Sequence, residues 1–262
     1  MDLQLTGRRV LVTGASRGIG LAVVRAFLAE GAHVVATARR PTPELEATGA
    51  AFVAADLATG DGPRRLLDTV LGQDPRLDVL VNNAGGGGAT PESFADPVDG
   101  DDATWADALA LNLLAAVRTT RAALPALLAA RGAVVSVSSD TARRSMAAPL
   151  PYTAAKAALN AFSRGLAEKV GPEGVRVNVV SPGGTRTPLL VGPDGFGAQV
   201  AGALGVAQDD FLTDLPRRSG MLTGELADPA EIARAVLLLA SPLMPSALGQ
   251  NWGVDAGSVK VA

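Results

Sequence analysis

Six short runs of almost continuously apolar residues recur along the chain: Val10 to Thr13, His33 to Ala38, Ala51 to Ala55, Val79 to Asn82, Ala133 to Ser138 and Val175 to Val180. Each is bounded by Gly, Asp or Asn, and unbroken apolar character without strict alternation is the mark of strands covered on both faces. Between them, Ile19 to Glu30, Pro63 to Leu71, Trp105 to Arg131 and Tyr152 to Val170 carry helical spacing and strong helix formers. Asp228-Pro229 ahead of Ala230 to Ala240 predicts a further helix with an aspartate cap and proline in its first turn, and Leu248 to Val254 a last strand. Strand and helix in repetition predict an α/β fold: a doubly wound parallel sheet in three layers. No composition break divides residues 1–262, so one domain is expected. Two stretches lack a period, Gly85 to Asp102 and Thr187 to Gly224. The second is expected to hold a short helix or two and to cover a pocket.

Composition narrows the chemistry. The 262 residues include no cysteine and one histidine, His33. That removes disulfides, thiolate metal sites and cysteine nucleophiles, and leaves a Ser-His-Asp triad only His33 to draw on. His33 opens a predicted strand and is read as structural, as are Trp105 and Trp252. No metal site is implied. With 23 Lys and Arg against 26 Asp and Glu, the net charge of -3 gives no footprint for nucleic acid or an anionic membrane. Apolar stretches such as Ala122 to Ala130 are cut by proline or arginine short of the roughly 20 residues of a membrane span. The opening residues show no basic stretch followed by an apolar run, so a cytoplasmic protein is expected.

The segment Thr13-Gly14-Ala15-Ser16-Arg17-Gly18-Ile19-Gly20 leaves the first strand and opens a helix. Glycines there permit a tight turn and close backbone approach, and a helix N-terminus offers free N–H groups to a pyrophosphate. The spacing T-G-x-x-x-G-x-G resembles the short-chain dehydrogenase/reductase family. Further motifs follow in family order: Asn82-Asn83-Ala84-Gly85, Asn112, Ser138-Ser139, Tyr152-x-x-x-Lys156 and Ser181-Pro182-Gly183. The resemblance runs from about Gly7 to Gly257 and implies a Rossmann-type dinucleotide-binding fold.

The second strand ends Ala36-Thr37-Ala38-Arg39-Arg40, where an enzyme using NAD would place an acid for the free ribose hydroxyl. Arg39 and Arg17 instead offer two guanidinium groups to a 2′-phosphate, which favours NADP(H) over NAD(H). The resemblance assigns to the cofactor Gly14, Ser16, Arg17, Gly18, Ile19, Gly20, Arg39, Asp56, Leu57, Asn83, Ala84, Gly85, Tyr152, Lys156, Pro182, Gly183, Thr185 and Thr187. In it Asp56 holds the adenine amino group and Thr187 meets the nicotinamide carboxamide. Asp56 could instead cap the next turn. The family more often has an apolar residue where Thr185 stands.

Tyr152, the only tyrosine, and Lys156 lie four residues apart and share a helix face. A tyrosine with its usual pKa of about 10 is a poor base at neutral pH. A neighbouring ammonium favours its phenolate, so Tyr152 can donate a proton to a carbonyl oxygen or take one from an alcohol. Ser139 would hydrogen-bond the same oxygen as charge develops. By resemblance, Lys156 also holds the nicotinamide ribose and Asn112 positions a relay water; Ser138 is the weaker serine candidate.

The pocket is expected from the stretch after Gly85, from Asp140 to Leu150 and from the segment beyond Thr187. Gly85 to Gly88 leave space, one of Arg143 and Arg144 could meet an anionic substrate group, and Met146, Leu189, Leu190 and Phe196 could form an apolar wall. The expected activity is reduction of a ketone, or oxidation of the matching secondary alcohol. An imine or enone reductase, or a non-catalytic NADP-binding scaffold, are the competing readings. A homotetramer or homodimer, built through the Trp105 to Arg131 and Tyr152 to Val170 helices, follows from the resemblance.

Overall fold

Each predicted strand forms within two or three residues of its expected bounds, and valine-rich sequence explains why. In order along the chain they are β1 (Arg9–Thr13), β2 (His33–Ala38), β3 (Ala51–Ala54), β4 (Val79–Asn82), β5 (Ala133–Val137), β6 (Arg176–Pro182) and β7 (Asn251–Val254). The structure is a computed structural model and describes residues 1–86, 98, 100–144 and 148–260. The seven strands make one parallel sheet in the order β3-β2-β1-β4-β5-β6-β7. This is the doubly wound Rossmann-type arrangement expected from the apolar runs.

Alternate strand positions feed two cores. Val10, Val12, Val34, Ala36, Val79 and Val81 face one side, covered by α1 (Gly18–Ala29) and α10 (Pro229–Ala240). Leu11, Val35, Leu80, Val134 and Val177 face the other, under α3 (Gly62–Gln73), α5 (Ala115–Ala130) and α6 (Leu150–Val170). Both faces are dry, so a strand gains nothing from polar alternation. The α10 start is a complete capping box, with Asp228 accepting from the helix and Glu231 reaching back to the Asp228 N–H.

Three features depart from the expectation. A short helix, α2 (Pro43–Glu46), forms where none was predicted; Thr42 caps it and also donates to the Ser16 carbonyl at 2.7 Å. The predicted helix from Trp105 starts earlier, as α4 (Asp102–Leu109), and runs through a π turn, Ala110–Leu114, into α5 without stopping at Pro125. The resulting 29 residues are by length and composition enough to cross a membrane, against the expectation that proline and arginine cut the stretch short. Ala115, Ala116, Ala123, Ala126 and Leu127 lie buried in it, and packing inside the domain accounts for much of that apolar character. Residues 187–224 hold three helices, not one or two: α7 (Pro188–Val191), α8 (Phe196–Leu204) and α9 (Gln208–Arg218).

Candidate active site

The strand order creates the site. After β1 the chain winds outward through β2 and β3, then returns past β1 to β4, so adjacent strands send their connections in opposite directions. The crevice beyond the carboxyl ends of β1 and β4 is where such sheets bind ligands. The glycine turn sits in it. A Cβ on Gly14 would stand 2.7 Å from the Ala84 Cα, and one on Gly20 would stand 2.5 Å from the Asn83 Nδ2, so the turn closes only with glycine at both positions. Asn83 spends its amide on this closure, donating to the carbonyls of Thr13 and Gly14 at 2.9 and 3.1 Å. Among the cofactor candidates it is thus a brace for the turn, by side chain and backbone N–H alike. Thr13, quoted in the glycine motif but given no role there, takes the N–H groups of both Asn83 and Ala84 on its hydroxyl at 2.9 Å and stitches β1 to β4. Only its place at the end of an apolar run hinted at this.

These residues fit a dinucleotide. Gly18, Ile19 and Gly20 form the first turn of α1, Arg17 is its N-cap with no side-chain cap bond, and no acidic residue stands in that turn. Free N–H groups at a positive dipole end are what a pyrophosphate needs. Arg17 and Arg39 are exposed, and neither side chain forms an ion pair or hydrogen bond among the described residues. Arg39 and Asp56 line one cleft of about 370 Å³ together with Val53 and Arg65. Asp56 also accepts from the Ala58 N–H at 3.0 Å, the contact its capping reading expects. Leu57 beside it is buried. A larger cleft, about 450 Å³, lies at the opposite end of the sheet against Arg8, Asp78 and Arg176, away from every motif.

The catalytic candidates converge one strand further on. Ser138 and Ser139 leave β5, and α6 lays Tyr152 and Lys156 across them. Ser138 turns its hydroxyl to the Lys156 carbonyl at 3.3 Å and is committed to the helix backbone, which leaves Ser139 as the serine of the site. Ser139 neighbours the Tyr152 side chain, and hydrogen bonding from it acts to lower the phenol's pKa. The Lys156 ammonium is buried, donates to the Val137 carbonyl at 2.9 Å, and stands 5.7 Å from the centre of the Tyr152 ring. A Cβ on Gly85 would come within 3.1 Å of that ammonium and 2.9 Å of the Asn112 Oδ1, so Gly85 gives both groups their room.

Asn112 sits in the π turn, a local widening typical of functional sites. Its side chain accepts from the Gly86 N–H at 3.0 Å and donates to the carbonyls of Gly86 and Ala108. Its amide therefore braces the chain after Gly85.

The protonation of the pair differs from the sequence argument, which gave the lysine the leading effect on the tyrosine. Burial dominates: it pushes Tyr152 up to about 12, reinforced by the Asp140 carboxylate and only partly opposed by the Ser139 bond. Burial also brings Lys156 down to about 8. Both shifts follow from desolvation of the charged form.

The roof comes from residues 183–224. Thr187 packs its methyl against Gly18, where a Cβ would meet it at 3.2 Å, and Leu189 reaches toward Gly86. Thr185 gives its hydroxyl to the Gly183 carbonyl at 2.9 Å, so its side chain is spent locally; Pro182 is buried at the end of β6. Leu190 and Phe196 are half-buried in α7 and α8. Arg144 pairs with Asp140 at 3.4 Å, while Arg143 is exposed and unpaired among the described residues. Of the two arginines considered for an anionic substrate, only Arg143 is therefore uncommitted. Met146, Gly87 and Gly88 lie outside the described residues.

Comparison with known proteins agrees with this geometry. The family model described as short chain dehydrogenase matches residues 8–192. A protein of Streptomyces violaceoruber named as candidate ketoacyl reductase 2 of the granaticin polyketide synthase is 37% identical over 254 residues, covering 95% of this chain and 94% of that one. L-fucose dehydrogenase of Bos taurus is 34% identical over 92% of this chain and 86% of its own. The crystal structure of L-sorbose reductase from Gluconobacter frateurii, complexed with NADPH and L-sorbose, superposes with a TM-score of 0.88 at 28% identity over the whole of both chains.

Proposed function

Because the chain belongs to the short-chain dehydrogenase family and is thus an oxidoreductase acting between CH–OH and C=O groups, we propose that it reduces a ketone with NADPH, or oxidises the matching secondary alcohol, with Tyr152 as general acid and base. The observation that carries this reading is the convergence of Ser139, Tyr152 and buried Lys156 at the carboxyl end of β5, two strands from the glycine turn that follows β1. When bound, the cofactor supplies the hydride. The protein's residues manage the oxygen that receives it.

A carbonyl oxygen lying between the Ser139 and Tyr152 hydroxyls meets two donors. Tyr152, protonated up to a pH of about 12, carries its proton into the site and hands it over as the oxygen becomes alkoxide-like. Ser139 donates to the same oxygen and lowers the cost of the developing charge. The phenolate left behind is stabilised by the Lys156 ammonium, whose stem is fixed by the Val137 carbonyl. Oxidation of an alcohol uses the same groups in reverse. Preference for NADPH rests on Arg17 in the glycine turn and Arg39 after β2, both exposed with side chains unpaired among the described residues, and on the lack of an acid at the end of β2. The reading extends to assembly as a homodimer or homotetramer, which light scattering at micromolar protein would test.

The deciding experiment follows NADPH and NADH consumption over a panel of ketones, aldehydes, enones and imines, with wild type and Tyr152→Phe in parallel. Expected are turnover of at least one ketone, preference for NADPH, and a loss of about 10³-fold in kcat in the variant with cofactor affinity nearly unchanged. Turnover that survives in Tyr152→Phe would overturn the acid–base assignment; tight NADPH binding with no turnover in either direction would favour the scaffold reading.

A further inference from the structure

The Ser139 hydroxyl is surrounded in a way that neither its motif nor the family match explains. A hydroxyl has one proton and two lone pairs. Thr141 donates to the Ser139 Oγ twice, from its N–H at 3.2 Å and from its hydroxyl at 2.9 Å. Both lone pairs are then taken, and the Ser139 proton has two places to go: the Tyr152 oxygen, or the Asp140 Oδ1 at 3.4 Å. That second distance exceeds the usual range of about 2.5–3.0 Å for a hydroxyl hydrogen bond. The carboxylate holds the proton in direction without trapping it.

What holds the carboxylate is the far end of the chain. Asp140 is buried, and its Oδ2 accepts from the Ser258 hydroxyl at 2.8 Å and from Arg144 at 3.4 Å. Ser258 is itself buried, in a segment strapped across the site: Gly183 donates to the Val254 carbonyl at 3.0 Å, Leu222 to the Ala256 carbonyl at 2.7 Å, and Lys260 to the Gly220 carbonyl at 2.9 Å. The segment thus touches the end of the roof directly and reaches Ser139 through Asp140. Among the described residues, the charged groups around the serine and tyrosine hydroxyls are Asp140, its partner Arg144, and Lys156 from α6.

We propose that Asp140, latched by Ser258, is a positioning residue for Ser139, so that the C-terminal segment Asp255–Lys260 aligns the hydroxyl that meets the reacting oxygen. Thr141 fixes the lone pairs, Asp140 fixes the proton, and Ser258 fixes Asp140. The inference rests on the roles given to Ser139 and Tyr152 above, and one of its readouts needs no substrate. Tyr152 is the only tyrosine, so tyrosinate absorbance reports its ionisation alone. The Asp140 charge opposes formation of that phenolate.

The test compares wild type, Ser258→Ala, Ser258→Thr and Asp140→Asn by kcat, KM, NADPH dissociation constant, melting temperature and tyrosinate titration. Expected for Ser258→Ala is a fall in kcat of about fivefold, with KM and NADPH affinity within about twofold of wild type, and recovery in Ser258→Thr. In Asp140→Asn the tyrosinate titration should move to lower pH. An unchanged kcat in Ser258→Ala together with an unmoved titration in Asp140→Asn would overturn the proposal. So would parallel losses of kcat, cofactor affinity and melting temperature that Ser258→Thr does not restore, since those mark a merely structural segment. Activity persisting in Tyr152→Phe would instead sink the underlying acid–base reading, and the substrate-free titration would still decide whether Asp140 acts on the tyrosine.

Discussion

In the proposed chemistry Lys156 supplies the charge that steadies the phenolate, and burial makes that charge conditional. Its ammonium is present below a pH of about 8 and is lost as pH rises through that value, because desolvation favours the neutral amine. Tyr152 keeps its proton to a much higher pH, so it stays a competent acid throughout the physiological range. Reduction should therefore hold level on the acid side and decline as pH rises through about 8, while oxidation, which needs the tyrosine as a base, should gain with pH. Initial rates in both directions against pH check this, and a reduction profile flat through pH 8 would remove Lys156's charge from the mechanism. At this scale the sequence carried the identities: Ser139, Tyr152 and Lys156 are where their spacing put them. It did not carry the solvation. Whether burial or the ammonium dominates the phenol depends on neighbours far along the chain from the pair, with Val137 holding the Lys156 ammonium and Gly85 leaving it room.

Elements were legible where a pattern repeats and obscure where contacts from elsewhere decide. The valine-rich strands and α1, α6 and α10 follow from periodicity and caps. The π turn at Ala110–Leu114 does not, because an extra residue in a helical turn leaves the apolar spacing nearly intact; the Asn112 amide, bonded to Gly86, accompanies it. Helix α2 depends on Thr42 reaching back to Ser16, and α7 to α9 are separated by glycines that dilute any period; Gln208 ties α9 to the α7 carbonyls at 3.2 and 3.0 Å. The junction of β1 with α1 gives a sharper test. Gly20→Ala forces a methyl into the Asn83 amide and the Gly14 carbonyl, backbone that cannot step aside. The expected cost is about 1–3 kcal/mol of stability, with NADPH affinity lowered by more than the stability loss explains, read from urea melts and cofactor titration. A variant with native melting and native affinity would show that the turn has slack.

Across the whole molecule, one buried carboxylate ties the β1 and β4 halves together at the end of the sheet away from the site. Asp78 accepts the Arg9 N–H at 2.8 Å and pairs with the Arg8 and Arg76 guanidiniums. Burial pushes its carboxyl up, but the Arg9 N–H and the two arginines outweigh this and hold it below the usual range. A carboxylate depressed on folding stabilises the native state above its unfolded value, near about 4, and that contribution is lost as pH falls through the lower folded value. Asp78→Asn should cost on the order of 3 kcal/mol at neutral pH, and its stability should fall less steeply on acidification than that of the wild type. Urea melts at neutral and acid pH measure both. Equal slopes would remove Asp78 from the acid response.

By itself the sequence determined the strand and helix order, the glycine turn and which side chains are proposed to react, because period, glycine placement and motif spacing are local properties of a chain. Only the tertiary structure decided that Thr13 and Asn83 lock the turn, that Arg144 is spent on Asp140, and that Ser258 reaches a carboxylate 118 positions earlier. Those contacts join residues far apart in the chain, and sheet order and close packing choose such partners after the local pattern has been used up.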